Sequence, residues 1–173
     1  MHLFVLMVLA LGSAESTESP SPTEAGVEIK VVKYADLSKI IAQHVGKVVV
    51  VDFWSVACTP CRQKFSHLVE MHRKHASQGL IALSVSLDED PQRKEVQEAV
   101  IAFLRKQKAT FTNVLLDEPY EAWRERLDIA SPPCVLVFGR NGRWRKFDAE
   151  ALDGDNGEGE AKLEKLVEEW LRR

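Results

Sequence analysis

The run Lys47–Trp54 (KVVVVDFW) sets the fold class. Continuous, β-branched apolar residues of this kind form a strand buried on both faces rather than one with a wet side. Around it, strand-length apolar runs alternate with segments of helical period. Val27–Val32 is a candidate strand, and Leu37, Ile40, Ile41 and Val45 follow at helical spacing behind Asp36, a capping residue type. Gly46 breaks that helix. Cys61, Phe65, Leu68, Val69 and His72 mark one face of a second helix ending near Gly79. Leu80–Leu87 alternates strictly as a strand, Val96 to Leu104 carries another helical stripe, and Thr112–Leu116 is a short strand. A short helix over Glu121–Leu127 precedes two strands, Val135–Phe138 and Arg143–Phe147, around an Asn141-Gly142 hairpin signal. Leu163, Leu166, Val167, Trp170 and Leu171 close the pattern as an amphipathic helix. The order β-α-β-α-β-α-β-α-β-β-α predicts an α/β sandwich. Its central sheet is mixed, with parallel opening units, an antiparallel closing hairpin and helices on both faces.

Composition narrows the function classes. With 45% hydrophobic residues the chain can bury a normal core, so disordered and collagen-like classes are excluded. A net charge of −3 argues against a sequence-blind grip on nucleic acid, and no nucleic-acid partner is expected. Three cysteines are too few for a disulfide-stapled mini-protein.

The N-terminal run Leu3–Leu11 is far shorter than the roughly 20 apolar residues needed to span a bilayer. Gly12, Ser13 and Ala14 supply the small residues of a cleavage site, so residues 1–14 read as a secretory signal, with His2 standing where a basic residue is usual. Residues 15–26 (ESTESPSPTEAG) are Ser/Pro/Glu-rich with almost nothing to bury, and read as a tether to a domain at 27–173. The expected location is periplasmic or otherwise extracytoplasmic, tethered to the membrane if the signal segment is retained.

The chemistry lies in Val51-Asp-Phe-Trp-Ser-Val-Ala-Cys-Thr-Pro-Cys61. Here a C-x-x-C pair sits where a buried strand gives way to a helix. Cys58 falls at the N-cap or first turn, and Pro60 just inside, where its missing N–H costs little. Unsatisfied N–H groups and the positive end of the helix dipole favour a thiolate at Cys58. Cys61 lies almost one turn deeper on the same face, sheltered and protonated until needed. An exposed low-pKa thiol beside a sheltered partner is what exchange by mixed disulfide requires. A zinc knuckle would need a second ligand pair, which Cys134 alone does not supply, so no metal site is expected. A structural disulfide closing so short a loop would be a poor staple.

These residues resemble the thioredoxin superfamily, and most closely its exported TlpA-like (ResA-type) thiol–disulfide oxidoreductases. The resemblance runs from about Val27 to the C-terminus. It is carried by V-D-F-W-x-x-x-C-x-P-C at 51–61, by Ser86-Leu87-Asp88, and by Pro133 followed by Cys-Val-Leu-Val-Phe and an Asn-Gly turn. It implies a thioredoxin-like three-layer sandwich with an inserted helix–strand unit between about Pro91 and Leu116. It further implies Cys58 as attacking thiol, Cys61 as resolving thiol, and a cis bond before Pro133 shaping a peptide groove. Trp54, Thr59, Pro60, Pro132 and Pro133 would then contact substrate. Asp52, six positions before Cys58, matches the buried acid of thioredoxin and would move a proton to or from Cys61. The implied partners are a disulfide-bearing protein and a membrane electron donor that re-reduces the pair. The implied form is a monomer without a cofactor.

The sequence departs from the family at Ala57, where tryptophan is usual, at Thr59 in place of glycine, at Ser66 in place of a kinking proline, and at Ser84 in place of a lysine. The alternative class is a binding protein, either a Cu(I) metallochaperone using the soft sulfurs or a fold-only adaptor. Cys134 reads as a small buried hydrophobe. Asp153–Glu160 looks superficially like a calcium loop but lacks its spacing, and reads as a solvated loop. Arg140, Arg143, Arg145 and Lys146 read as a solvated, aggregation-blocking hairpin edge.

Overall fold

The Lys47–Trp54 run forms strand β2 (Val48–Trp54), and every residue in it is buried. The structure is a computed structural model that describes residues 26–153 and 157–173. Before β2 come β1 (Lys30–Val32) and α1 (Tyr34–Ala42). After it come α2 (Thr59–His75), β3 (Leu80–Ser86), α3 (Lys94–Gln107), β4 (Thr112–Leu116) and α4 (Tyr120–Leu127). The hairpin β5 (Cys134–Phe138) and β6 (Trp144–Phe147), a short α5 (Ala149–Leu152) and α6 (Glu158–Leu171) complete the described chain.

The six strands lie in the order β1-β4-β3-β2-β5-β6. β1, β4, β3 and β2 are parallel, while β5 runs antiparallel to both β2 and β6. The inserted helix–strand unit is α3 with β4, and β4 sits between β1 and β3. Alternate residues of β2 serve two cores. Val49, Val51 and Phe53 face α1 and α4 through Leu37 and Trp123. Val48 and Val50 face α2 and α6 through Leu68, Met71, Leu163 and Val167. Trp54 continues that second face, packing with Cys61 and Phe65 of α2 and with Val100 and Leu104 of α3. The result is the expected three-layer sandwich.

Several local readings shift. β1 is shorter than the Val27–Val32 run, although Val27 is still buried. Asp36 lies inside the first turn of α1 rather than capping it, and Val45 is exposed beyond its end, where Gly46 takes φ +88°. β3 alternates in sequence yet is buried almost throughout, because helices cover both sides of its sheet position. The basic hairpin is not simply solvated. The Arg140 guanidinium donates to the carbonyls of Gly46, Gln78 and Leu171 at 3.2, 3.3 and 3.3 Å. Trp144, the first residue of β6, is 51% exposed. The expected signal (1–14) and the tether, up to residue 25, lie outside the described residues.

Candidate active site

The carboxyl end of β2 delivers the chain into a short loop, Ser55–Ala57, and then into α2. That loop is held by backbone and by one carboxylate. The Leu87 N–H donates to the Trp54 carbonyl at 2.8 Å, and the Cys58 N–H to the Ser55 carbonyl at 3.1 Å. The Val56 N–H donates to both oxygens of Asp88 at 3.0 Å, while the Ser86 hydroxyl donates to the same carboxylate at 2.6 Å. Nothing local in the sequence marks Asp88 for this role. It lies 32 residues from its partner, within the Ser86-Leu87-Asp88 stretch.

Cys58 is the N-cap of α2, and its sulfur accepts a hydrogen bond from the backbone N–H of Cys61 at 3.3 Å. Pro60 fills the first turn. Cys58 and Cys61 are joined as a disulfide, with Cα atoms 5.3 Å apart. Cys58 is half-buried and Cys61 is buried, which places one sulfur at the surface and the other beneath it. Thr59 and Pro60 are exposed beside them, and Pro132 is half-buried. The Pro132-Pro133 bond is cis. Pro133 is buried and lines the same cavity as Asp52 and Cys61.

Trp54 is corrected from the expected substrate contacts: it has no exposed surface to offer a docked protein. Its ring packs on Phe65 and Phe103 at centroid distances of 5.1 and 4.7 Å, and those two rings meet at 5.1 Å. This aromatic trio wedges the first turns of α2 against α3 and so fixes the height of the cysteines above the sheet.

Asp52 is 8% exposed on the α2 side of β2, opposite Ser84 of β3 and Val135 of β5. Burial pushes its carboxyl up to about 7. Ser84 is turned away in bonding, its hydroxyl donating to Asn113 Oδ1 at 2.9 Å. Asp52 and Cys61 share a cavity of about 30 Å³ whose other polar walls are Lys64, His67 and Glu160. Lys64 donates to the Leu152 carbonyl at 3.0 Å and to Glu160 Oε1. Glu160 is therefore not part of a solvated loop. Buried in the first turn of α6, it follows Gly159, whose missing Cβ would stand 2.5 Å from the Ala151 carbonyl oxygen. Residues 154–156 of the calcium-like stretch lie outside the described residues. Sequence period could not find Lys64 and Glu160, because their meeting depends on how α6 docks on α2.

Cys134 sits in the other core, with Phe53 and Leu136, and burial pushes its thiol up to about 12. A thiol held protonated in that layer is a packing group. His75, Glu164 and Glu168 bring three metal-capable atoms within 4.8 Å of one another. Lys74 already bonds both carboxylates there, at 2.7 and 2.9 Å, and offsets one of their two charges without an ion.

A buried strand ending in C-x-x-C at a helix head, a buried acid below and a cis-proline beside it define a dithiol protein of thioredoxin architecture. The sequence matches the thioredoxin-like family model over residues 46–144, and the chain belongs to that family. It is 25% identical over 126 residues to sporulation thiol-disulfide oxidoreductase A of Bacillus subtilis, covering 73% of this chain and 72% of that protein. Among solved structures it resembles a thiol:disulfide interchange protein assigned as DsbE from Chlorobium tepidum. That pair has a TM-score of 0.61 and 24% identity, over 76% of this chain and 84% of the other. It also resembles a secreted disulfide oxidoreductase of Mycobacterium tuberculosis. There the TM-score is 0.56 and the identity 18%, over 74% and 85% of the two chains. At these identities the structural likenesses establish the fold.

Proposed function

We propose that the protein is a thiol–disulfide oxidoreductase that reduces protein disulfides through Cys58 and Cys61. One observation carries this: a half-buried sulfur caps a helix and receives its N–H, with a buried partner sulfur and a buried carboxyl in the cavity beneath. In the reduced protein the Cys58 thiolate attacks one sulfur of a substrate disulfide. An S–S bond forms between Cys58 and substrate, and the first substrate thiolate leaves. Cys61 gives its proton to Asp52 and attacks the Cys58 sulfur, releasing the second substrate thiolate. Two electrons have passed from the dithiol to the substrate, and the Cys58–Cys61 disulfide remains.

The exposed Thr59 and Pro60 and the half-buried Pro132 form the rim on which an extended substrate segment would lie, with buried Pro133 as its support. The Leu3–Leu11 run and the Ser/Pro/Glu-rich stretch after it support export, a tethered domain and work outside the cytoplasm. The secreted Mycobacterium protein supports the same location. There a membrane donor would return the electrons. No helix among the described residues is long and apolar enough to cross a membrane. We read the working unit as a monomer.

Dithiothreitol-coupled reduction of insulin tests the assignment. Wild-type protein accelerates it, and Cys58→Ser abolishes the acceleration. A wild-type protein that leaves insulin oxidised at the uncatalysed rate overturns it. Cys61→Ser, which stalls the mixed disulfide, then retrieves the natural substrate from the native envelope.

A further inference from the structure

Glu160 faces two spaces at once. Inward it walls the small cavity that holds Asp52 and Cys61. Outward it lines an open groove of about 470 Å³ between α2 and α6. Its two oxygens are treated differently. Oε1 is held by Lys64, whereas Oε2 is buried and, among the described residues, receives no hydrogen bond. A carboxylate with one anchored oxygen and one idle oxygen, set between a buried acid and solvent, is arranged to take up and release a proton.

We propose that Glu160, positioned by Lys64, is the proton outlet of Asp52. The inference rests on the dithiol reading above and adds where the resolving proton goes. When Cys61 ionises, its proton passes to the Asp52 carboxylate, which becomes a neutral acid. That acid then loses the proton across the cavity to Glu160 Oε2, and Glu160 loses it to water in the groove. Asp52 ends ionised and ready, Glu160 ends as it began, and one proton has reached solvent with no change in electron count. The cavity's volume admits one or two waters, since one needs roughly 10–15 Å³, and Asp52, Lys64 and Glu160 are polar partners for a bridging molecule.

The charged and titratable groups facing Glu160 from the cavity are Asp52, Cys61, Lys64 and His67. From the groove they are Glu70, Arg73 and Lys74 of α2 and Glu164 of its own helix. Burial raises the Glu160 carboxyl, but the Lys64 hydrogen bond, a backbone hydrogen bond from Glu160 itself, and the charges of Lys64 and His67 together outweigh it, so the net direction is downward. Glu160 therefore rests ionised at neutral pH, as an acceptor must.

The pair makes opposite contributions at Asp52, which gives the test its sign. In the full chain, carboxyl NMR follows the Asp52 titration in the reduced protein, assigned with Asp52→Asn. Glu160→Gln bares the Lys64 ammonium and lowers the Asp52 midpoint. Lys64→Met bares the Glu160 carboxylate and raises it. Shifts of about half a pH unit are expected, and the double variant returns near wild type. Single-turnover resolution of a mixed disulfide slows about tenfold in Glu160→Gln and recovers with added imidazole, while Glu158→Gln, exposed on the same helix and lining neither space, changes neither readout. Unmoved midpoints in both single variants, or wild-type resolution in Glu160→Gln, overturn the proposal. The titration does not depend on turnover, so a protein that reduces no disulfide sinks the redox reading separately.

Discussion

The backbone N–H of Cys61 points at the sulfur of Cys58 from 3.3 Å, one turn into the helix that the sulfur caps. An ionised sulfur gains from that bond and from the dipole behind it, and a neutral thiol gains much less. In reduced protein, Cys58 should alkylate with a midpoint well below the roughly 8.5 of a free cysteine. Buried Cys61 should stay unmodified under the same conditions. Iodoacetamide rates across pH 5–9, read by peptide mass, give both values. A Cys58 midpoint at or above the free value contradicts the geometry.

Asp52 ties stability to pH. Between the ordinary aspartate value of 3.8 and about 7, the native protein holds a proton that the unfolded chain has released. Stability therefore falls as pH rises through that window and levels above it. Urea unfolding of the oxidised protein should show a loss of about 2–3 kcal/mol between pH 5 and 8 from this group. Asp52→Asn should remove that slope, leave the protein more stable than wild type at pH 8, and slow disulfide reduction at neutral pH.

Asp88 is a clamp on the loop before the cysteines. Asp88→Ala orphans the Val56 N–H and should cost about 1–3 kcal/mol by urea denaturation. Because Ser55 and Val56 set the entry into α2, the Cys58 alkylation profile should move as well. Asp88→Asn keeps one acceptor and should recover part of the loss. An unchanged alkylation profile in Asp88→Ala would confine the residue to stability alone.

Arg140 binds three carbonyls from three separate segments, at Gly46, Gln78 and Leu171. Arg140→Ala should lower stability by about 1–2 kcal/mol without touching insulin reduction. Arg140→Lys, with one ammonium in place of a fork, should rescue little of it.

What the sequence made legible follows the range of each signal. β2, the C-x-x-C helix start and Thr112–Leu116 are local patterns, and the structure contains each where the pattern lies. Asp52 is legible through the resemblance, which places a buried acid six positions before Cys58, and the structure buries it beside Cys61. Trp54 closes a run that reads as buried on both faces, and the structure buries it against Phe65 and Phe103; only the resemblance set it among the substrate contacts. Glu160 shows the limit of local signals. Its acidic, glycine-rich surroundings resemble solvated chain, and only the packing of α6 on α5 and α2 makes it a buried wall. β3 alternates in sequence but lies buried on both sides, because period reports which way residues point and not what waits there.

Gly159 has a consequence for how this scaffold can be altered. A methyl group there would meet the Ala151 carbonyl at 2.5 Å, so any side chain would prise the head of the last helix from the turn before it. The carboxylate next in line would swing off the dithiol chamber while both sulfurs stayed in place. One carbon atom, far from the cysteines in the chain, could thus uncouple electron transfer from proton traffic without changing a reacting group.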